Sequence, residues 1–354
     1  MARVVLVTGV SRYLGACVAG VLQSDPNLDR VIGVDAVPPA NSLGRTEFVR
    51  VDLRTPSIAK IIAAADVDTV VHLNLVGAPQ GAGGRSSMKD INVIGTMQLL
   101  AACQRSASVH KLVVRSTAEV YGCTAHDPAM FTEDMEPRSL PRSGFTKDAS
   151  EIEGYVRGFN RRRNDVTVSI LRFVNFMGRG VDSPLARYFT LPVAPTVLGF
   201  DPRLQFVHTD DGVEVVRQMT VQDHPGTYNV GGDGVMYLSQ ALRRAGRPTV
   251  PVLTPAMRIS GGLGRRLRLA DFTPEQVRLL SYGRGVDTTK VQAELGWRAS
   301  HTTVEAFDDF VRGHGWGPHT ELIDRAASFV RTRADGVVDA TSSRTGRSGE
   351  AGHG

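Results

Sequence analysis

A glycine-bearing turn near the start of the chain has the composition of a phosphate-binding loop. Residues 8–15 read Thr-Gly-Val-Ser-Arg-Tyr-Leu-Gly, directly after a β-branched run and at the start of a helical pattern. Gly9 permits the tight turn, and Gly15 lets the helix pack closely on a sheet. The N–H groups and positive end of that helix, whose first turn holds Tyr13 and Leu14, would then face a diphosphate. The sequence therefore predicts a dinucleotide site.

An acidic residue beyond the turn indicates which dinucleotide binds there. Asp35 ends the predicted second strand, 20 residues after Gly15. A carboxylate at this position accepts hydrogen bonds from the adenosine ribose and repels a 2′-phosphate. Arg12 acts in the opposite sense, because a basic side chain in the turn attracts a 2′-phosphate. We give Asp35 the greater weight and predict NAD as the cofactor, with NADP disfavoured.

The elements that position these residues alternate between short β-branched runs and longer helical patterns, which is typical of βαβ units. The strands are rich in Val and Ile without clear alternation, so both faces of the sheet are expected to be buried. We predict an α/β fold with a doubly wound parallel Rossmann sheet. Strands are predicted at residues 3–8, 30–34, 47–51, 69–73, 111–115 and 166–172, helices at 13–23, 57–65, 88–105 and 145–163, and short returns to the sheet at 205–211 and 227–230.

In the second half of the chain the alternation of strand and helix patterns becomes irregular, which predicts a second, smaller unit. Residues 335–354 are rich in Gly, Ser, Thr and Arg and are predicted to form a disordered tail. The remaining chain is divided between an NAD-binding Rossmann domain, residues 1–175 and 206–232, and a smaller C-terminal substrate-binding lobe, residues 176–205 and 233–320.

The composition is that of a water-soluble globular protein. Apolar residues make up 42% of the 354 residues, charged residues 22%, and the formal net charge is +5. This mild basic surplus suits an anionic nucleotide, and nucleic acid is not predicted as a partner. Three cysteines are too few for a disulfide scaffold or metal cluster, and no metal is predicted. Without a signal-peptide pattern or an apolar run of ~18–20 residues, we expect a cytoplasmic protein that does not bind membranes.

Further motifs, spread over residues 3–312, resemble those of the extended short-chain dehydrogenases of the NAD-dependent epimerase/dehydratase family. In detail the chain is most similar to actinobacterial UDP-glucose 4-epimerase-like proteins. The turn is similar to the family's Thr-Gly-x-x-Gly-x-x-Gly, with Arg12 in place of the middle glycine. The other matching segments are Asp52-Leu53, His72-Leu73-Asn74, Asn92-Val93-Ile94-Gly95-Thr96 and residues 171–178, 206–211, 228–232 and 295–297.

The resemblance implies cofactor contacts for several of these residues. Asp52, with Leu53 beside it, is expected to contact the adenine. The segment at Leu73 is expected to pass the nicotinamide, and Asn74 stands there where the family has alanine. Asn92 opens a helix that is expected to border the cofactor.

The resemblance also implies a substrate and an assembly state. Relatives act on nucleotide sugars, and the segment that contains Asn175 is expected to meet the substrate diphosphate, with Arg203 as a second substrate contact. Because a pair of helices commonly forms a dimer interface in the family, a homodimer is expected.

The catalytic residues implied by the resemblance are only partly present. The family places a Ser or Thr after the fifth strand and a Tyr-x-x-x-Lys pair on the next helix. Thr117 matches the first, and Lys147 matches the lysine, but Ser143 stands four residues before it in place of the tyrosine. A phenol has a pKa of about 10 and can be lowered toward neutrality, whereas an aliphatic hydroxyl is far more basic as its anion.

Glu119 offers another acid–base group. Sugar-nucleotide 4,6-dehydratases carry an Asp-Glu pair in this segment, and the present chain has Ala118-Glu119. A full dehydratase mechanism is therefore disfavoured. Glu119 is either a general base or a carboxylate that caps the loop, and both interpretations stay open.

Three functions follow from these observations. The first is an NAD-dependent nucleotide-sugar epimerase-type oxidoreductase that lacks the usual tyrosine. The second, indicated by Ser143 and Arg12, is a catalytically impaired NAD-binding sensor or a regulatory or assembly protein. The third and weakest is an RNA-binding relative of the epimerases.

Overall fold

The computed structural model describes residues 3–77, 84–138, 144–253 and 273–316, and its centre is a parallel sheet of seven strands. In sheet order these strands are β11 (Gly226–Val230), β6 (Thr167–Phe173), β5 (Lys111–Thr117), β4 (Thr69–His72), β1 (Val4–Thr8), β2 (Arg30–Asp35) and β3 (Glu47–Arg50). The chain runs outward from β1 in both directions, so a switch point lies between β1 and β4. Ligands of open parallel sheets bind in the crevice at such a point, beyond the carboxyl ends of the strands.

Helices cover both faces of the sheet, as the uninterrupted apolar strands predict. Val5 and Val7 face a cluster that includes α1 (Tyr13–Leu22) and α7 (Thr209–Val221). Val4 and Leu6 face the opposite cluster, formed with α2 (Ile58–Ala64), α4 (Gly95–Arg105) and α5 (Gly144–Arg162). Alternate residues of one strand are therefore buried on opposite sides, which explains why β1 shows no polar alternation. The predicted doubly wound α/β fold is confirmed.

A third apolar cluster belongs to elements of the second half of the chain. Its strands form three two-stranded sheets, in which β7 (Asn175–Met177) pairs with β10 (Phe206–His208), β8 (Ala194–Val197) with β13 (Thr249–Val252), and β9 (Arg203–Leu204) with β12 (Met236–Tyr237). Its helices are α6 (Pro184–Phe189), α8 (Leu238–Arg244), α9 (Pro274–Tyr282) and α11 (Thr303–Gly313), while α10 (Thr289–Leu295) contacts β11. No helix in the described ranges is long and apolar enough to cross a membrane.

Two of the predicted elements differ from the structure. Residues 205–211 do not return to the main sheet: β10 pairs with β7, and α7 begins at Thr209. The predicted helix 88–105 is a shorter helix, α3 (Gly84–Lys89), a π-helical turn over Asp90–Ile94, and α4. The prediction that 227–230 rejoins the main sheet is confirmed by β11, whereas the tail 335–354 lies outside the described residues.

Candidate functional site

The turn after β1 is packed so tightly against its surroundings that two positions require glycine. Gly9 has a φ of +79°, and a Cβ built there would lie 3.1 Å from the backbone N and Cα of Asn74. A Cβ on Gly15 would lie 2.1 Å from the carbonyl oxygen of Gly9. The turn therefore rests directly on the segment after β4, and α1 begins directly against the turn. These contacts place the predicted phosphate loop at the switch point of the sheet.

The first turn of α1 presents its positive end without a side-chain cap. Arg12 is the N-cap residue and gives no side-chain hydrogen bond to the helix, and the first turn holds no acidic residue. Leu14 is buried in the core below. Tyr13 is 53% exposed and lines a cavity together with His208 and Asp309. The structure therefore places the backbone of the turn at the end of the sheet and the Tyr13 side chain at this cavity.

Asp35 is buried at the carboxyl end of β2, beside the same turn. Its Oδ2 accepts a hydrogen bond from the Ser11 N–H at 3.2 Å, and its Oδ1 accepts one from the Ala36 N–H at 2.7 Å. The charge of Asp35 also attracts the guanidinium of Arg12. The carboxylate is thus held in one orientation next to the glycine turn.

Asp52 and Leu53 follow β3 at the far edge of the crevice. The Asp52 carboxylate is bound by Arg54, whose Nη2 lies 2.6 Å from Oδ2, and this hydrogen bond lowers the pKa of Asp52. Leu53 is buried and lies beneath Gly95, where an added Cβ would approach the Leu53 Cβ to 3.3 Å.

Two arginines meet the segment after β4, and only one of them was predicted. The Nε of Arg12 donates to Oδ1 of Asn74 at 3.2 Å. The Nη1 of Arg115, near the end of β5, donates to the carbonyl oxygen of the adjacent Leu75 at 3.2 Å. Burial, followed by the charge of Arg12, lowers the pKa of Arg115 to about 10. The signal that sequence reasoning missed is a charged residue directly after the apolar run 112–114 of β5.

Buried polar side chains below the crevice fix its floor. His72 is hydrogen-bonded through Nδ1 to the Thr8 hydroxyl at 2.8 Å and through Nε2 to the Thr96 hydroxyl at 2.9 Å. Asn92 accepts from the Val76 N–H at 2.8 Å and donates to the Val76 carbonyl at 3.0 Å. Asn92 thus holds the backbone that follows β4. The next residue after His72, Leu73, is also buried.

A second group of side chains lies beyond the end of β5. Thr117 caps the short turn Ala118–Tyr121 by accepting the Glu119 N–H at 3.2 Å. Oε2 of Glu119 accepts from the Thr146 hydroxyl at 3.4 Å, and its Oε1 lies 3.9 Å from Nη2 of Arg284. The structure therefore brings Thr117, Glu119 and the start of α5 together. Thr146 and Arg284 had not been predicted as members of this group.

Lys147 has a partly exposed side chain near the start of α5. Its Nζ lies 3.7 Å from Oε1 of Glu151, and 42% of the Lys147 side chain is exposed. The face of α5 that meets β5 is marked by Glu153, which accepts a hydrogen bond from the Ser116 hydroxyl at 2.6 Å. Lys147 precedes Glu153 by six residues and is therefore rotated from it by about 120° around the helix axis. Ser143 lies outside the described residues.

The arginine of the 171–178 segment, Arg172, belongs to a buried hydrogen-bond network. Arg172 is buried and binds Glu153 through two hydrogen bonds, Nε to Oε1 at 3.0 Å and Nη2 to Oε2 at 2.7 Å. Its Nη1 donates to the Tyr121 hydroxyl at 2.8 Å, and that hydroxyl donates to Oδ1 of Asn229 at 2.8 Å. This network ties β5, β6 and β11 to α5. Tyr121 is therefore part of the core.

The two predicted substrate contacts lie in the small sheets. Asn175 is half-buried at the start of β7, directly after β6 and its connecting residue. Arg203 is exposed at the start of β9, and its carbonyl oxygen accepts the Arg284 N–H at 3.1 Å. Arg203 is thereby linked through the backbone to the residue that faces Glu119.

Another polar cluster, not predicted from the sequence, adjoins the cavity at Tyr13. The rings of His208 and His301 stack with their centroids 4.0 Å apart, and His208 Nε2 lies 3.4 Å from Oδ2 of Asp309. Asp211 binds the His301 ring at 3.0 Å and also accepts the N–H groups of Ser300 and His301. The two rings are within 24° of parallel, so their in-plane lone pairs do not converge on one ion. We therefore assign no metal to this cluster.

The switch point has the features that a dinucleotide requires. Added side chains at Gly9 and Gly15 would collide with the backbone, α1 presents an uncapped positive end, and Asp35 is fixed beside it. A parallel sheet with these features defines a dinucleotide-binding protein of the Rossmann class. Residues 5–231 match the model of the NAD dependent epimerase/dehydratase family. The chain belongs to this family, as its motifs predict.

Relatives of the chain extend over nearly its whole length. An uncharacterised protein of Mycobacterium tuberculosis is 46% identical over 320 residues, which are 89% of this chain and 85% of that protein. The dTDP-glucose 4,6-dehydratase of Bacillus anthracis, solved in complex with NAD, has 18% identity and a TM-score of 0.66, covering 91% of this chain and 98% of that one. The UDP-glucuronic acid 4-epimerase of Bacillus cereus, also with NAD, has 18% identity and a TM-score of 0.65, covering 88% and 98%. These structures share the fold.

Proposed function

We propose that this protein binds NAD at the switch point and catalyses an epimerase-type oxidoreduction of a nucleotide sugar. The observation that carries the proposal is the glycine turn, whose packing excludes a Cβ at Gly9 and Gly15 beside the fixed carboxylate of Asp35. Gly9, Gly15 and the first turn of α1 would hold the diphosphate, and Asp35 the adenosine ribose. Asp52, Leu53, Leu73 and Asn92 border the same edge. When bound, NAD supplies a hydride acceptor.

The residues beyond β5 are suited to proton transfer. Glu119 is the titrating group there, with Thr117 and Thr146 as hydroxyl neighbours and Arg284 as a nearby positive charge. Oxidation of a sugar hydroxyl needs a base that takes its proton. A carboxylate can do so at neutral pH, whereas the aliphatic hydroxyl of Ser143 cannot be ionised readily. We propose that Glu119 takes the proton of the sugar hydroxyl. Asn175 and Arg203 are proposed to contact the substrate.

Turnover of UDP-sugars tests this function. Purified protein with NAD is mixed with a panel that includes UDP-glucose, UDP-galactose and UDP-glucuronic acid, and both product formation and NADH absorbance are followed. We expect turnover of at least one sugar, reduced about a hundredfold or more by Glu119→Gln. The matched control is Glu47→Gln, which removes an exposed glutamate at the start of β3 and leaves turnover unchanged. Tight NAD binding with no reaction across the panel would contradict the enzymatic proposal.

A second function is favoured by the position of Lys147. Its ammonium lies 3.7 Å from Oε1 of Glu151, and Ser143 stands where the family has tyrosine, so the family's Tyr-Lys pair is incomplete. A protein of this kind would bind NAD without turnover and act as a sensor or assembly partner. It predicts that Lys147→Ala leaves NAD affinity unchanged within about twofold and leaves the cellular function intact. An enzyme that uses Lys147 on the nicotinamide ribose would instead lose affinity and rate together.

A further inference from the structure

Arg115 is a half-buried cation near the end of β5. Its Nε is shielded from solvent and has no hydrogen-bond partner in the structure, and no carboxylate within the described ranges forms an ion pair with it. Among the described residues, it donates one hydrogen bond to the Leu75 carbonyl and lies over the Phe176 ring, whose centroid is 5.6 Å from the guanidinium carbon. A buried charge is costly unless it is paired and hydrogen-bonded. An anion bound beside Arg115 would therefore stabilise its charge.

Arg12 brings a second guanidinium to the same place. Arg12 binds Asn74, and Arg115 binds Leu75, so the two side chains are anchored on consecutive residues of the segment after β4. The charge of Arg12 adds to the lowering of the pKa of Arg115. Asp35 offsets the charge of Arg12 in part. Two positive side chains thus stand together at the switch point of a parallel sheet, where ligands bind.

We propose that Arg12 and Arg115 form a two-guanidinium site for a diphosphate group, in addition to the backbone amides of the glycine turn. A diphosphate carries two negative charges and offers several acceptor oxygens, which match two planar guanidinium forks. Arg115 then gains an acceptor for its Nε, which has no hydrogen-bond partner among the described residues. Both NAD and a nucleotide sugar contain a diphosphate, so the site deepens the proposed function, on which its biological ligand depends.

Titration calorimetry with three probes tests the pair and identifies the source of the diphosphate. Inorganic pyrophosphate, NAD and UDP-glucose are titrated separately into the wild type, Arg115→Gln and Arg115→Lys. We expect Arg115→Gln to lower the affinity for pyrophosphate and for at least one nucleotide by about tenfold or more. Arg115→Lys should recover part of this affinity, because lysine keeps the charge but lacks the guanidinium fork. If NAD is the only nucleotide whose affinity falls, the site belongs to the dinucleotide. If UDP-glucose is the only one, the site belongs to the sugar nucleotide.

Controls separate this inference from folding and from catalysis. Arg30→Gln removes an exposed strand arginine that pairs with Glu47 at the opposite edge of the sheet, and it should leave all three affinities unchanged. Without ligand, Arg115→Gln should melt no lower than the wild type, because it removes a half-buried charge that forms no ion pair with a described carboxylate. If Arg115→Gln fails to fold, Arg12→Gln provides the same affinity test. Affinities within twofold of the wild type for every probe would overturn the proposal, whereas absence of sugar turnover alone would leave it standing.

Discussion

The Arg12 and Asn74 side chains are joined by a hydrogen bond of 3.2 Å between Nε and Oδ1, across the switch point of the sheet. The family motifs that this chain resembles have glycine and alanine at these two positions. The two departures are therefore one structural feature, in which a polar pair replaces two small residues. It links the turn after β1 to the segment after β4 and places a positive charge at the diphosphate end of the crevice.

Gly15→Ala should destabilise the protein and remove dinucleotide binding. The new Cβ would lie 2.1 Å from the Gly9 carbonyl oxygen, so the turn and α1 must move apart. We expect a loss of about 1–3 kcal/mol in the free energy of unfolding, which denaturant titration measures. Gly20→Ala in the same helix is the matched control, because nothing lies within 4 Å of its added Cβ. That variant should be slightly more stable than the wild type, by about 0.4–1 kcal/mol.

Asp35→Asn should reduce the discrimination between NAD and NADP. The substitution keeps the size of the side chain and removes the charge that repels a 2′-phosphate. We expect NAD affinity to fall by about tenfold while NADP affinity is unchanged or rises, because Arg12 remains nearby. Fluorescence or calorimetric titration with both dinucleotides measures the ratio. An unchanged ratio would remove Asp35 from the cofactor site.

Glu153→Ala should be strongly destabilising. The substitution leaves the guanidinium of Arg172 buried without its carboxylate, and such a loss costs about 3–5 kcal/mol. Arg157 pairs with the same carboxylate from the surface, where 53% of its side chain is exposed. Arg157→Ala should therefore change the free energy of unfolding by less than about 1 kcal/mol. Equal effects of the two variants would show that the buried network does not carry this stability.

The stability of the protein should fall as the pH drops from about 6.5 to about 4. Burial lowers the pKa of His72 to about 4, below the ordinary value of 6.5. Between these values the unfolded chain binds a proton that the folded protein excludes, so protonation favours unfolding. The contribution of neutral His72 to the free energy of unfolding is fully present above pH 6.5, and about 3 kcal/mol of it is lost as the pH falls toward 4. His72→Gln, compared by denaturant titration at each pH, should flatten this dependence, and an unaltered slope would assign it to other groups.

The parallel sheet could be predicted because its central strands, such as β1 and β4, are buried on both faces and each is followed by a turn or helix signal. The glycine turn could be predicted for the same local reason. Residues 205–211 could not be placed, since their two apolar residues, Phe206 and Val207, do not indicate which strand they pair with. In the structure β10 pairs with β7. The π-helical turn at Asp90–Ile94 also leaves no sign in an apolar pattern that continues through it.

The site was only partly predictable because spacing along a helix does not give its rotation. Lys147 has the motif's spacing, yet the hydrogen bond between Glu153 and Ser116 sets the face of α5 that meets β5. Arg115 was missed because a single arginine in a strand has no pattern of its own. Its proposed role follows only from its contact with Leu75 and from the nearby charge of Arg12, and both of these residues are distant from Arg115 in sequence.

Calorimetric titration of the wild-type protein with NAD and with NADP tests the central claim most directly. If the bend after the first strand cradles a diphosphate next to a ribose-binding acid, NAD should bind stoichiometrically and about tenfold or more tightly than NADP. Gly15→Ala should show no heat of binding while Gly20→Ala binds as the wild type does. No saturable binding of either dinucleotide to folded wild-type protein would contradict the account.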